Sequence, residues 1–152
     1  MLLIPSIRSV LLPWACVLLV RSMAQGTLVV EVAVAQQGTG ALMVAVCPDA
    51  ASFTTGKGCV QRKVEAVRPS TTLRFADLPA GRYAVKAFLD LNGNDTLDRN
   101  PQGLPGEPIG FSNDVLGKPS AVLFEKAAVP VAAEGTTVKL RLRGKAPNGA
   151  KP

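Results

Sequence analysis

The sequence predicts an all-β chain, a single antiparallel β-sandwich of about seven strands with one long loop. Three observations predict it. Short stretches alternate apolar and polar residues with period two, as half-buried strands do. Gly, Pro, Asn and Asp separate those stretches at short intervals, which is how strands are joined by turns. No segment sustains a long helical period.

Taken in order, "TLVVEVAVAQ" sets Leu28, Val30, Val32 and Val34 on one face against Val29, Glu31 and Ala33. "QQGTG" is a turn, and "ALMVAVC" follows as a strand rich in apolar and β-branched residues. "PDAASFTTGKG" reads as a loop, and "CVQRKVEAV" alternates Val60, Arg62 and Val64 with Gln61, Lys63 and Glu65. "STTLRFADL" places Leu73 and Phe75 together. "GRYAVKAFL" groups Tyr83, Val85, Ala87 and Leu89 opposite Arg82, Ala84, Lys86 and Phe88. "SAVLFEKAAV" suits either a strand or a short helix, and "TTVKLRLR" sets Val138, Leu140 and Leu142 against Lys139, Arg141 and Arg143. Val, Leu and Ala dominate the apolar faces, enough for a two-sheet core in one domain.

The ends read differently. Residues 1–24 carry Arg8, an apolar run from Val10 to Val20, and the small residues Ser22 and Ala24 ahead of Gln25. That is the pattern of a secretory signal peptide. As a membrane anchor the run is too short, since about 30 Å of hydrocarbon takes roughly 20 helical residues. Cys16 follows Pro13-Trp14-Ala15, a poor context for lipid attachment. The folded domain is therefore 25–143, and 144–152, rich in Gly, Pro and Lys, is a flexible tail. The expected location is periplasmic or extracellular, with no membrane insertion after cleavage.

Charge excludes one class of partner. The chain carries +6, and losing Arg8 and Arg21 leaves +4, spread along the chain with few aromatics. A nucleic-acid binder concentrates its basic residues on one face, so no nucleic-acid partner is expected. Beyond Cys16 the chain has two cysteines, Cys47 and Cys59, and no His. In an exported protein an even pair reads as a disulfide. The alternatives, a zinc pair or a catalytic thiol, lack the His that would serve as ligand or base.

The long loop is "FLDLNGNDTLDRNPQGLPGEPIGFSND", residues 88–114. Asp90, Asn92, Asn94 and Asp98 fall at positions 1, 3, 5 and 9 of an EF-hand-type frame, with Thr96 at position 7. Alternate residues of a curled loop can turn their oxygens toward one centre, and calcium takes six to eight oxygens. The frame has Asp95 where Gly usually makes the sharp turn, a residue that tolerates left-handed backbone. It has Pro101 where a bidentate Glu usually closes the shell, so Glu107 or Asp114 must supply that carboxylate. The expected metal set is Asp90, Asn92, Asn94, Thr96, Asp98 and Glu107, with calcium in a structural role. The alternative is a metal-free loop in which Asn and Asp bond their own backbone. Gly103, Gly106, Gly110, Pro105 and Pro108 shape the return half, Phe111 anchors it on the core, and Glu107 faces the Asp/Asn cluster.

No catalytic residues are expected. Asp90, Asp98 and Glu107 could form an acid/base pair, but such pairs work in aromatic-lined clefts, and the only Trp is Trp14. Without His, Ser/His/Asp and Cys/His sites are excluded.

"DLPAGRYAVKAF" places a turn, Asp77 to Gly81, ahead of Tyr83. Pro79 presets φ in that turn and Gly81 supplies positive φ. This resembles the "L-x-x-G-x-Y" turn of transthyretin-like and carboxypeptidase-regulatory-like sandwiches, where Gly and Tyr are structural, and the sandwich expected is transthyretin-like or immunoglobulin-like. Residues 77–114 together resemble the secreted bacterial family called the domain of unknown function 2141 family. The matching residues are Gly81, Tyr83, Ala84 and Val85, then Asp90, Asn92, Asn94 and Asp98. Gly103, Pro105, Glu107, Gly110, Phe111, Ser112 and Asn113 continue the match. The chain departs from that pattern at Leu89, Leu91 and Asp95, where His, Glu and Gly are frequent. The resemblance implies export and a β-sandwich, and no activity. The expected function is a non-catalytic exported module with a structural calcium loop at 90–98 and an unknown extracellular ligand or protein partner. Two rivals stand beside it: a sugar- or peptide-binding domain that uses the long loop without metal, and an enzyme using the Asp/Glu cluster.

Overall fold

The computed structural model describes residues 24–34, 40–115 and 122–144. The expected leader and tail lie outside those residues, apart from Ala24 and Gly144. The elements are β1 (Gln25–Ala33), β2 (Ala41–Cys47), α1 (Ala50–Thr55), β3 (Val60–Glu65), β4 (Ser70–Pro79) and β5 (Gly81–Asp90). They continue with β6 (Ile109–Phe111), a 3-10 turn (Ser112–Asp114), α2 (Phe124–Ala127), β7 (Ala128–Val131) and β8 (Thr136–Arg141). The chain is mostly β, in two sheets. Three strands run in the order β4-β1-β8. Five form the second sheet, β3-β2-β5-β6, with β7 also pairing β5. Neither sheet closes into a barrel among the described residues.

The period-two faces explain the pairing. Leu28, Val30 and Val32 of β1 meet Leu42, Val44 and Val46 of β2, Leu73 and Phe75 of β4, and Val85 and Leu89 of β5 in one cluster. Val138 and Leu140 of β8 join it. Each such side chain contributes about 1.5–3 kcal/mol when fully buried, so this shared core outweighs every polar contact described below. A second, smaller cluster lies on the other face of the five-stranded sheet. It gathers Cys47, Phe53, Ala84, Val122 and Ala127, with Phe111 and Phe124 against it. Two helices thus cover part of a sheet face that the sequence reading left to solvent.

Four expectations need correction. The stretch between the cysteines is not all loop, because α1 occupies Ala50–Thr55. Asp49 caps it, accepting from the Ser52 N–H at 2.8 Å, and Gly56 ends it at φ 76°. Six residues are too few to display a helical period. The loop 88–114 contains a strand, β6, too short to alternate visibly. The sheets are not wholly antiparallel, since β1 and β8 run parallel. The chain reaches β8 from β7, which pairs β5 in the other sheet, so no hairpin forces an antiparallel approach to β1. Positive φ falls on Asp77 (58°) and not on Gly81. Asp77 sits in a β-bulge, where the β1–β4 register slips between Gly26 and Leu28. A bulge tightens the local twist, here just before the chain leaves one sheet for the other. The undecided segment before residue 130 is both things in turn, α2 and then β7.

Tyr83 is structural, as expected. It is buried, and its hydroxyl donates to the Pro79 carbonyl at 2.8 Å, pinning the crossing from β4 to β5. Cys47 and Cys59 form a disulfide with S–S 2.10 Å, tying the far side of α1 back to β2. Among the described residues no helix is long and apolar enough to cross a membrane.

Candidate functional site: the long loop and the groove beside it

Strand β5 ends at Asp90, which is 1% exposed. Its carboxylate accepts the N–H of Gly93 at 2.7 Å and of Asp95 at 2.9 Å. Gly93 and Asp95 stand at φ 75° and 61°, so Asp95 adopts the left-handed turn that the calcium frame gives to Gly. Burial pushes the Asp90 carboxyl up. The backbone N–H groups of Asp95, Gly93 and Asn94, helped by the nearby Lys63 ammonium, outweigh it and hold the group below its usual value. Asp95 itself pairs with Lys63 of β3.

Glu107, 3% exposed, closes the other half. It does face the Asp/Asn cluster, but through backbone donors: Leu91 N–H at 2.8 Å and Asp98 N–H at 3.3 Å. Asp98 accepts the side-chain amides of Asn92 at 2.7 Å and Asn94 at 2.9 Å. Asn92 Oδ1 accepts from the Asn94 N–H at 3.2 Å, and Asn94 Oδ1 from the Thr96 N–H at 2.9 Å. Asp114, the other candidate for a closing carboxylate, pairs with Arg143 at 2.6 Å.

The loop therefore brings Asn92, Asn94 and Asp98 together, while Asp90 and Glu107 turn to backbone N–H groups. Calcium takes six to eight oxygens, and here the Asp90 and Glu107 oxygens accept backbone N–H groups. No group of three or more His, Cys, Asp or Glu able to hold a metal ion occurs among the described residues. What the arrangement does mechanically is clear. A buried carboxylate bonded to backbone N–H is a strong acceptor, and two of them staple a loop that has few apolar contacts of its own.

The "GFSND" end is a second clasp. Gly110 lies where a Cβ would come within 2.5 Å of the Arg141 carbonyl oxygen, so β6 can approach β8 only without a side chain there. Ser112, fully buried, accepts the Val85 N–H at 2.8 Å and donates to the Ala127 carbonyl at 2.5 Å. Asn113, at φ 59°, donates to the Lys126 carbonyl at 2.9 Å. Phe111 anchors the return half, but on the smaller cluster, with its ring 5.9 Å from that of Phe53, and not on the main core.

These two clasps frame a partly open groove of about 390 Å³ on the outer face of the five-stranded sheet. Met43 and Ala45 of β2, Lys86 and Phe88 of β5, and Ile109 of β6 line it from the sheet. Phe53 and Thr54 of α1 stand on one side, and Asp95, Leu97 and Arg99 of the loop also line it. Lys86 is half-buried there, its Nζ donating to the Phe53 carbonyl at 2.6 Å and lying 5.4 Å from the Phe53 ring centroid. Burial holds its ammonium below the usual lysine value.

The model of a bacterial family described as an uncharacterized protein conserved in bacteria (DUF2141) matches residues 30–139. The chain belongs to this family. The match takes in β2 to β7, the second half of β1 from Val30, and β8 as far as Lys139. Both clasps and the groove therefore sit on the DUF2141 part of the chain. No curated protein and no solved structure shows significant similarity to the chain.

The sequence reading missed the groove. One signal for it was present. "ALMVAVC" is apolar at every position, and a strand apolar on both faces is covered on both faces. Met43 and Ala45 point away from the main core for that reason.

Proposed function

We propose that this DUF2141 protein is an exported, non-catalytic binding module built as a β-sandwich, whose groove on the five-stranded sheet takes a small, largely apolar ligand. The groove carries the reading. Its size lies at the small end of the roughly 300–1,000 Å³ of small-molecule sites, and such sites combine apolar walls with a few polar groups. In this reading the long loop binds nothing through Asp90 and Glu107. Those residues brace it, so that Leu97 and Arg99 stand at the groove. The export expected from residues 1–24 makes the ligand a periplasmic or extracellular one.

Titration with Nile red, a neutral apolar dye, tests the groove. Saturable fluorescence enhancement is expected from the protein, and Ala45→Phe, which fills the floor, should weaken it. No saturable binding, or binding indifferent to Ala45→Phe, overturns the reading.

Calcium at 90–98 is the second reading, favoured by one observation. Asn92 and Asn94 converge on Asp98, and exchanging the two ends of each amide turns two oxygens toward the Asp98 carboxylate, a change that gives up the bonds from the Asn94 and Thr96 N–H groups. Melting with calcium and with chelator decides it. A ligand at 100 times its Kd stabilises by about 2.7 kcal/mol, and no shift at millimolar calcium removes the metal.

A further inference from the structure

We infer that the groove selects a ligand with an apolar body and an anionic head, a single-chain carboxylate, and that Lys86 holds the head. The inference rests on the groove being a binding site, as proposed above. Its own support is the charge pattern. Lys86 and Arg99 are the two cations of the lining, and Asp95 is the one carboxylate. Asp95 is already paired with Lys63. Arg99 bonds the Gly103 carbonyl at 2.9 Å, and Lys86 bonds the Phe53 carbonyl. Among the described residues neither cation has a carboxylate partner.

A lysine on a sheet face commonly extends its stem and leaves its ammonium in water. Lys86 does otherwise. Its head lies half-buried against α1, at the Phe53 carbonyl and ring, on a strand position flanked by Ala45 and Phe111, with one neutral acceptor for three donors. Placing a cation in such surroundings costs free energy unless an anion pairs with it. The burial that lowers its affinity for a proton is the same effect, and a bound carboxylate offsets it. A charge-assisted bond in a partly desolvated groove is stronger than in water, so the charge selects among ligands of equal apolar area. The groove's size suits one chain or ring, not a two-chain lipid.

The α1 wall gives the site its geometry. Phe53 supplies both the carbonyl and the ring at Lys86, and the Cys47–Cys59 bond closes the segment that carries it. An unbraced six-residue helix is too short to hold such a position alone.

The test compares decanoate with decanol, which share a chain and differ in charge, by calorimetric titration below their aggregation limits. Decanoate is expected to bind about 10- to 100-fold tighter than decanol, the range of a hydrogen bond to a charged group. Lys86→Gln should bring decanoate down to the level of decanol and leave decanol unchanged, and Lys86→Arg should restore part of the preference. Where Lys86→Gln fails to fold by near-UV circular dichroism, Lys86→Met serves as the uncharged variant. Equal binding of the two probes overturns the anionic head while leaving the apolar groove standing. Discrimination that survives in the uncharged variant overturns the role of Lys86. Failure of both probes on a protein that still takes up Nile red overturns the single-chain carboxylate. Failure of Nile red as well overturns the groove itself.

Discussion

Removing the Glu107 carboxylate tests whether the long loop is braced from within. Glu107→Ala leaves the Leu91 and Asp98 N–H groups without their acceptor. An orphaned buried donor costs about 1–3 kcal/mol. Leu91 N–H, bonded at 2.8 Å, should lie at the upper end of that range. Asp98 N–H, at the longer 3.3 Å, should lie at the lower end. Together the expected loss is about 2–4 kcal/mol. The measurement is the urea midpoint, read with an unchanged m-value so that the shift reports stability alone. Glu107→Gln keeps one acceptor oxygen but brings an NH2 against a donor, so it should lose about half as much. A loss below about 0.5 kcal/mol for Glu107→Ala, the size of an ordinary surface change, refutes the brace. So does a calcium-dependent stabilisation of the wild-type chain that Glu107→Ala abolishes, since Glu107 would then be a metal ligand.

Three further outcomes follow from the same geometry. Asp90 has a folded-state value below its unfolded value of about 3.9, so its contribution is present above that pH and is lost as pH falls through the folded value. Stability measured by denaturant should therefore decline from about pH 5 downward, and Asp90→Asn should be less stable at pH 7 with a shallower acid decline; an unchanged decline removes Asp90 as its source. Replacing Cys47 and Cys59 by Ser frees a loop of separation 12, with an expected loss of about 3 kcal/mol by chain entropy, and a midpoint unchanged under reduction contradicts it. Ser112→Ala orphans the Val85 N–H and loses the bond to the Ala127 carbonyl, about 2–3 kcal/mol, so a near-neutral urea midpoint means that the clasp between β5 and α2 is not a stabilising one.

Much of the framework was legible because its signal is local. The alternation in "TLVVEVAV" and "TTVKLRLR" named the buried faces of β1 and β8 residue by residue. Tyr83 as a structural residue and Cys47 with Cys59 as a pair were legible for the same reason. The turn pattern ahead of Tyr83 sufficed for the one, and an even cysteine pair in a chain expected to be exported for the other. The short elements were not legible, because six residues of α1 and three of β6 carry no period. The candidate site was half legible. The pattern Asp-x-Asn-x-Asn-x-x-x-Asp located the loop that matters, but an oxygen that ligates a cation and an oxygen that accepts a backbone N–H have the same sequence signature.

By itself the sequence determined a mostly β chain of two-faced strands, a loop rich in oxygen at 90–98, and membership of a bacterial family. Each rests on residue type and on neighbours along the chain. Only the tertiary structure decided that β1 lies parallel to β8, that Glu107 is buried against Leu91 and Asp98, and that Lys86 meets Phe53 in the wall of a groove. Those facts depend on which strand edges meet and on which face a helix covers. Hydrophobic burial sets them over the whole molecule, among residues far apart along the chain.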